Sequence, residues 1–260
     1  MQAQEIYKLL LFFIIYSFLG WLLETVAKSI EQKKFINSGF LVGPLCPIYG
    51  FGAFIMLIFL DRFKENYLLL FFMGMVILTA WEYLVGIILE KAFKTKYWDY
   101  SNYKINFQGR ICLVHSTIWG LLGVIFIRFI HPYVIELINI IDIKYIIMID
   151  ALLYMILVID CIYSIIKATN IRSKIIKLRE ITETLKEKLE EINVADSKKK
   201  TKEKLKQIID ELKENQNELI EKLQTQTERI RKAFPTMKME INDFLNKKVH
   251  IIKNGQKKEK

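Results

Sequence analysis

Gly39-Phe40-Leu41-Val42-Gly43-Pro44-Leu45-Cys46-Pro47-Ile48-Tyr49-Gly50-Phe51-Gly52 joins a short polar loop to a long apolar run. The whole chain has only 11 Gly and 4 Pro, so this stretch concentrates residues that interrupt or tighten a backbone. Pro44 can open a helix, because its missing N–H would be unpaired in a first turn anyway. Pro47 still falls early enough to be tolerated. Gly50 and Gly52 leave a bare flank that another backbone can approach closely. Cys46 and Tyr49, three apart, share one face. The stretch therefore reads as the start of a membrane helix packed tightly against its neighbours.

Working outward, a run of ~18 or more apolar residues is long enough to cross a bilayer. The expected spans are about Ile6 to Ala27, Pro44 to Leu60, Tyr67 to Leu89, Ile111 to Ile130 and Tyr145 to Ile166. The fold class is thus all-α, a polytopic membrane bundle of five transmembrane helices with a cytoplasmic helical or coiled-coil tail. The expected domains are 1–167, the bundle; 168–235, the coiled-coil segment; and 236–260, a basic amphipathic helix with a disordered end. The first span has no small-residue cleavage site after it, so it reads as a retained span and not a signal peptide.

The chain carries a formal charge of +10, nearly all of it after residue 167. Acidic and basic residues interleave there, which speaks against nucleic acid and for contact with anionic lipid. The loops after spans one and three carry Lys28, Lys33, Lys34, Lys91, Lys94, Lys96, Lys104 and Arg110. Those after spans two and four carry only Arg62, Lys64 and Lys144. The positive-inside rule then puts the N-terminus outside and the tail in the cytoplasm. The three cysteines, Cys46, Cys112 and Cys161, form no CxxC and no secreted disulfide framework.

On this topology every span places polar groups in its inner half: Glu24, Cys46, Tyr49, Glu82, Cys112, His115, Ser116 and Asp160. A charge in hydrocarbon costs ~2.5–3.5 kcal/mol on insertion scales, so such groups should face one another or a wet cavity. The expectation is a polar pocket open to the cytoplasm, floored by Glu24, Glu82, His115 and Asp160; separate snorkelling of the carboxylates is the alternative. The loop residues Trp98, Asp99, Tyr100 and Asn106 read as an interfacial anchor, or as a lid over that pocket. No pair has helical metal-ligand spacing such as HExxH, so neither a metal nor a cofactor is expected, and the chain does not read as an enzyme.

In the tail, Ile171, Ile175, Leu178, Thr182, Leu185, Leu189 and Ile192 follow a 4–3 spacing. Leu205, Ile208, Leu212, Asn215, Leu219, Leu223, Gln226 and Ile230 resume it beyond a polar break at 193–200. Two antiparallel helices joined at the break are expected, with one continuous rod as the alternative. Met237, Ile241, Phe244, Leu245 and Ile252 then suggest a third amphipathic helix.

Gly20-Trp21-Leu22-Leu23-Glu24, the Gly43–Gly52 stretch, Trp81-Glu82, Trp98-Asp99-Tyr100-Ser101, Asn106, Gly109-Arg110-Ile111-Cys112-Leu113, Ser116 and Trp119-Gly120 together resemble the family called Putative ABC-transporter type IV, or CmpB-like permeases. These are small bacterial, often Firmicute, membrane proteins, and the resemblance covers about residues 8–135. It implies a transport component of the inner membrane. The chain has no GxxxxGK[ST], so a separate ATPase subunit would have to drive it. Five spans are few for one translocation path, which implies a homo-oligomer. The contrasting expectation is a non-transporting membrane scaffold whose tail recruits a coiled-coil protein partner.

Overall fold

A computed structural model describes residues 3–194 and 199–239. The fold turns on helix α1 (Ala3–Gln32) and the coil that follows it. Ser17, Trp21, Thr25 and Ser29 repeat every four residues and so form one stripe along α1. The chain reverses after Gln32, with Lys33 at φ 51°, and runs back down this stripe. Ile36 N donates to Ser29 Oγ (2.9 Å), Ser38 N to Thr25 Oγ1 (3.3 Å), and Cys46 N to the Ser17 carbonyl (2.9 Å). Trp21 Nε1 donates to Asn37 Oδ1 at 2.8 Å. A coil at membrane depth is tolerated only where protein groups satisfy its backbone, and the stripe supplies them.

Helix α2 (Pro47–Leu60) therefore starts beside the midpoint of α1, with Cys46 as N-cap and Pro47 in the first turn. This corrects the expected helix start at Pro44, which lies in the coil. Pro44 and Pro47 keep the returning segment from closing into a helix sooner, and Gly39 takes φ 90° within it. The close approach of α1 and α2 needs two glycines. A Cβ on Gly20 would overlap the Tyr49 ring, and one on Gly50 would overlap Ser17 Oγ.

A 3₁₀ turn (Asp61–Phe63) leads to α3 (Tyr67–Phe93), capped by Asn66 Oδ1 accepting from Leu69 N at 3.0 Å. After a loop with β1 (Thr95–Lys96), β2 (Asn106–Phe107) and β3 (Ile111–Cys112), α4 (Leu113–Ile125) packs on α3. A Cβ on Gly120 would lie 2.8 Å from the Phe71 carbonyl oxygen, and Gly123 faces Gly74. Small residues here bring the two backbones together. The fourth span was expected to stop at Ile130. The helix instead passes through a π turn (Phe126–Ile130) into α5 (His131–Asn139). Pro132 sits in the first turn of α5, where its missing N–H costs little, and the π turn absorbs the offset.

Helix α6 (Ile143–Val194) then continues without a break past the expected domain boundary at 167. Four helical stretches, Gln4–Gln32, Tyr67–Phe93, Leu113–Asn139 and Ile143–Lys188, are long and apolar enough to cross a membrane. The all-α membrane bundle is thus present. With 14 residues, α2 is shorter, about 21 Å at 1.5 Å per residue. An apolar cluster containing Leu11, Tyr16, Leu60, Leu70, Phe126 and Ile146 fills the end of the bundle away from the 94–112 loop.

Asp150 on α6 is 3% exposed, and neither carboxylate oxygen has a hydrogen-bond partner among the described residues. Such a group opposes packing, and exchanging it for an apolar side chain of similar size should help. Asp150→Leu is expected to stabilise the purified protein by about 1–3 kcal/mol in detergent unfolding. Asp150→Asn, which leaves a polar orphan, should not.

The described residues divide into two compact units, those up to 165 together with 230–239, and those between 166 and 229. In the second, α6 and α7 (Lys199–Ala233) run antiparallel: Lys174 Nζ donates to Gln226 Oε1 at 2.6 Å, and Gln216 Nε2 to Thr182 Oγ1 at 2.8 Å. On α6 the seam buries Ile171, Ile175, Leu178, Thr182 and Leu185. On α7 Leu223 and Ile230 are buried as expected, while three other expected positions shift by one. Ile209, Gln216 and Thr227 are buried, whereas Ile208, Asn215 and Gln226 are exposed. The buried Gln216–Thr182 bond explains the slip, since it joins side chains that cannot be left unpaired inside a seam.

Of the expected third helix, residues 240–260 lie outside the described residues. Its first residues form a strand, β4 (Lys238–Met239), paired antiparallel with β1. The Phe234-Pro235 turn, closed by Met237 N donating to the Phe234 carbonyl at 3.0 Å, delivers it there.

Candidate functional site

The polar residues of the bundle gather at the end that carries the 94–112 loop. Glu82 on α3 is 5% exposed and accepts two bonds, from Tyr100 Oη (3.0 Å) and Trp119 Nε1 (3.0 Å). Glu24 on α1 accepts from Tyr49 Oη at 2.9 Å and pairs with Lys28 one turn on at 2.6 Å. The Tyr49 and Trp119 rings lie 5.9 Å apart and join these two clusters. The Tyr100 ring stacks on His115 at 4.1 Å, and His115 Nδ1 lies 3.1 Å from Cys112 Sγ. One path of contacts thus runs Glu24–Tyr49–Trp119–Glu82–Tyr100–His115–Cys112 through α1, α2, α3, α4 and the loop.

Of the remaining expected site residues, Cys46 is buried at the N-cap of α2, and Ser116 is buried on α4. Asp160 does not join the path. Its oxygens accept from Val42 N (3.0 Å), Gly43 N (2.7 Å) and Ser164 Oγ (3.1 Å), so it clamps the returning coil to α6. Of the four groups expected at a pocket floor, Glu24, Glu82 and His115 lie on one path of contacts and Asp160 does not. Which neighbour Asp160 meets depends on rotation about the helix axis, which depth along the span does not specify.

The loop is tied down at many points. Trp98 Nε1 donates to the Arg110 carbonyl at 2.9 Å, and Arg110 pairs with Glu90 at 2.7 Å. Asn106 caps its own turn, accepting from Gly109 N at 3.0 Å and donating to the Tyr103 carbonyl at 2.7 Å. Gly109 takes φ 66°, and the space its Cβ would need holds the Asp99 carboxylate. Asp99 accepts from Lys96 Nζ (2.8 Å), Ser101 Oγ (2.6 Å) and Lys238 Nζ. Burial works against the charged form of Asp99. The bonds from Lys238, Lys96 and Ser101 win and hold the carboxyl well below the usual carboxylate range.

Two loop residues reach the site: the Tyr103 ring meets His115 edge-on at 5.4 Å, and Tyr100 bonds Glu82. Burial first, and then the Glu82 carboxylate, push the Tyr100 phenol well above its ordinary pKa, so it acts as a permanent donor. Tyr100 is among the four loop residues expected as an anchor or a lid, but its partner Glu82 could not be read from the sequence, because which loop side chain turns inward depends on the loop's path. Trp119 was also missed as a site residue, although an indole N–H near an intramembrane carboxylate is a fitting donor.

The arrangement offers two carboxylates, one imidazole and one thiol in an apolar bundle, each acid held by an aromatic donor. Among the described residues no group of three or more His, Cys, Asp or Glu could hold a metal ion. The chemistry available is the binding of a proton, a cation or a polar solute. No curated protein and no solved structure shows a match to the chain. Residues 11–165, more than half of the chain and the whole of the polar path, match the family model described as Putative ABC-transporter type IV, and the chain belongs to that family.

Proposed function

We propose that this protein is the membrane-embedded transport component of an ABC-type system, without an ATPase of its own, that works with a separate ATPase subunit. The observation that carries this reading is Glu82, buried among apolar helices inside the family-matched region and held by Tyr100 and Trp119. An intramembrane carboxylate is costly and marks a solute or ion path by default. The reading counts five crossings, with α2 and the coil before it making the second. Lysine and arginine distribution then puts the loop end and tail in the cytoplasm and the N-terminus outside. A homo-oligomer in the bacterial inner membrane completes the path.

A second reading has support from the paired part of α6 and α7, residues 166–229, which lies outside residues 11–165. On that reading the hairpin acts as a coiled coil that recruits soluble partners to a non-transporting scaffold. Purification of the full chain from its native cells separates the two. Transport predicts an ATPase subunit at a fixed ratio and ATP hydrolysis by the purified complex. Soluble partners that disappear with residues 168–235, and no ATPase, would overturn it in favour of the scaffold.

A further inference from the structure

Glu24 is one residue removed, and Glu82 two, from the same C-terminal segment. On one side, Lys28 pairs with Glu24 at 2.6 Å while its Nζ lies 4.9 Å over the Phe234 ring. On the other, Asp99 is bonded to the segment twice, through its carboxylate to Lys238 and through its backbone N–H to Thr236 Oγ1 at 3.2 Å. The next residue, Tyr100, donates to Glu82. The segment is seated by further contacts of different kinds. Strand β4 pairs with β1, Thr95 opposite Met239 and Lys96 opposite Lys238. The Phe234 ring meets the buried Tyr97 ring edge-on at 5.2 Å. Gln32 Nε2 donates to the Lys232 carbonyl at 3.1 Å.

This is a built receptor for a short peptide. A strand edge supplies backbone bonds, an aromatic slot takes Phe234, and a buried carboxylate takes Lys238. Resting on the reading of Glu82 above, we infer that residues 234–238 form a regulatory clasp that positions the two carboxylates, with Lys28 and Asp99 as the positioning residues. When the clasp is seated, Asp99 is fixed from both sides and holds Tyr100 on Glu82, while Lys28 is kept beside Glu24. Release leaves Lys28 free to turn to solvent and the 97–101 loop held from one side only. The occupant is this chain's own Phe-Pro-Thr-Met-Lys sequence, so any partner that takes up that peptide opens the site.

The test uses the full chain in detergent, with a hydrophobic carbodiimide as probe and peptide mass spectrometry to locate modified carboxyls. Phe234→Ala, Lys238→Ala and their combination should raise the modification rate at Glu24 and Glu82 by roughly five-fold or more, the scale of losing one half-exposed charged contact. Lys238→Arg should keep the wild-type rate, and the unfolding midpoint of the bundle should not move. Trypsin cleavage at Lys238 should quicken in the Phe234→Ala variant, which keeps that lysine. Carboxyl rates within two-fold of wild type in the double variant, or Lys238 still protected in Phe234→Ala, would overturn the clasp. Neither readout involves transport. Loss of coupled ATPase activity in Glu82→Gln with unchanged carbodiimide rates in the clasp variants sinks the clasp alone, and the opposite pair of results sinks the transport reading alone.

Discussion

Glu82→Leu is expected to destabilise the bundle by about 3–5 kcal/mol and Glu82→Gln by about 1 kcal/mol or less, while both cut coupled ATPase activity by about ten-fold or more. The difference comes from the partners left behind. Leucine strips the acceptor from Tyr100 Oη and Trp119 Nε1, both in a part-buried setting. Each stranded donor costs about 1–3 kcal/mol. Glutamine can be accommodated. Its carbonyl accepts from the indole, and the tyrosine hydroxyl, able to accept as well as donate, takes the amide N–H. The ionisable carboxyl is gone in both variants, so a site that works through it fails in both. Detergent unfolding curves and ATP hydrolysis of the purified complex read the two effects separately. A glutamine variant with wild-type hydrolysis would mean that Glu82 only braces the helices.

How much of this was readable in the chain depends on the kind of information each feature needs. Apolar runs report membrane helices, because the length needed to cross a bilayer is a property of one segment at a time. Depth along a span is also local, and it brought Glu24, Tyr49, Glu82, Cys112 and His115 to a common level. Facing is not local. Asp160 shares that level yet turns to the coil at Val42 and Gly43. The loop before Pro44 was legible, but not its return along α1, because Phe40, Leu41, Val42 and Leu45 are apolar and carry no mark of which helix they lie against. The usable signal lay elsewhere, in Ser17, Trp21, Thr25 and Ser29 at a four-residue repeat. The stripe meets the returning coil: Thr25 and Ser29 accept from its backbone, and Trp21 donates to the Asn37 side chain. The one-residue slip on α7 has a similar origin. Asn215 and Gln216 are equally polar, and only the bond from Gln216 to Thr182 decides which lies inside.

Asp160→Leu is expected to cost about 2–5 kcal/mol and to expose Cys46. Asp160 is the acceptor for two consecutive amides, Val42 N and Gly43 N, in a segment that has left helical geometry. With leucine in its place both amides lose their partner. Ser164, by contrast, can turn to its own preceding carbonyl and loses little. The coil keeps its bonds to α1 at Ser29, Thr25 and the Ser17 carbonyl and the Phe40 ring contacts with Phe93 and Tyr97, but the segment around Val42 and Gly43 loses its anchor and can lift. Cys46, 3% exposed and bonded through its N–H to the Ser17 carbonyl, is the residue that reports the lift. Maleimide labelling mapped to Cys46 should quicken by about ten-fold, in proportion to the open population that a loss of 1.4 kcal/mol creates. Asparagine keeps one acceptor oxygen and should fall between wild type and leucine on both measures. Gly43→Ala provides an independent check, since its Cβ would sit 2.8 Å from the same carboxylate oxygen and press the clamp open without removing it. If Asp160→Asn abolished coupled hydrolysis while Cys46 stayed fully protected, Asp160 would belong to the solute path and not to the clamp, and the coil would need another anchor.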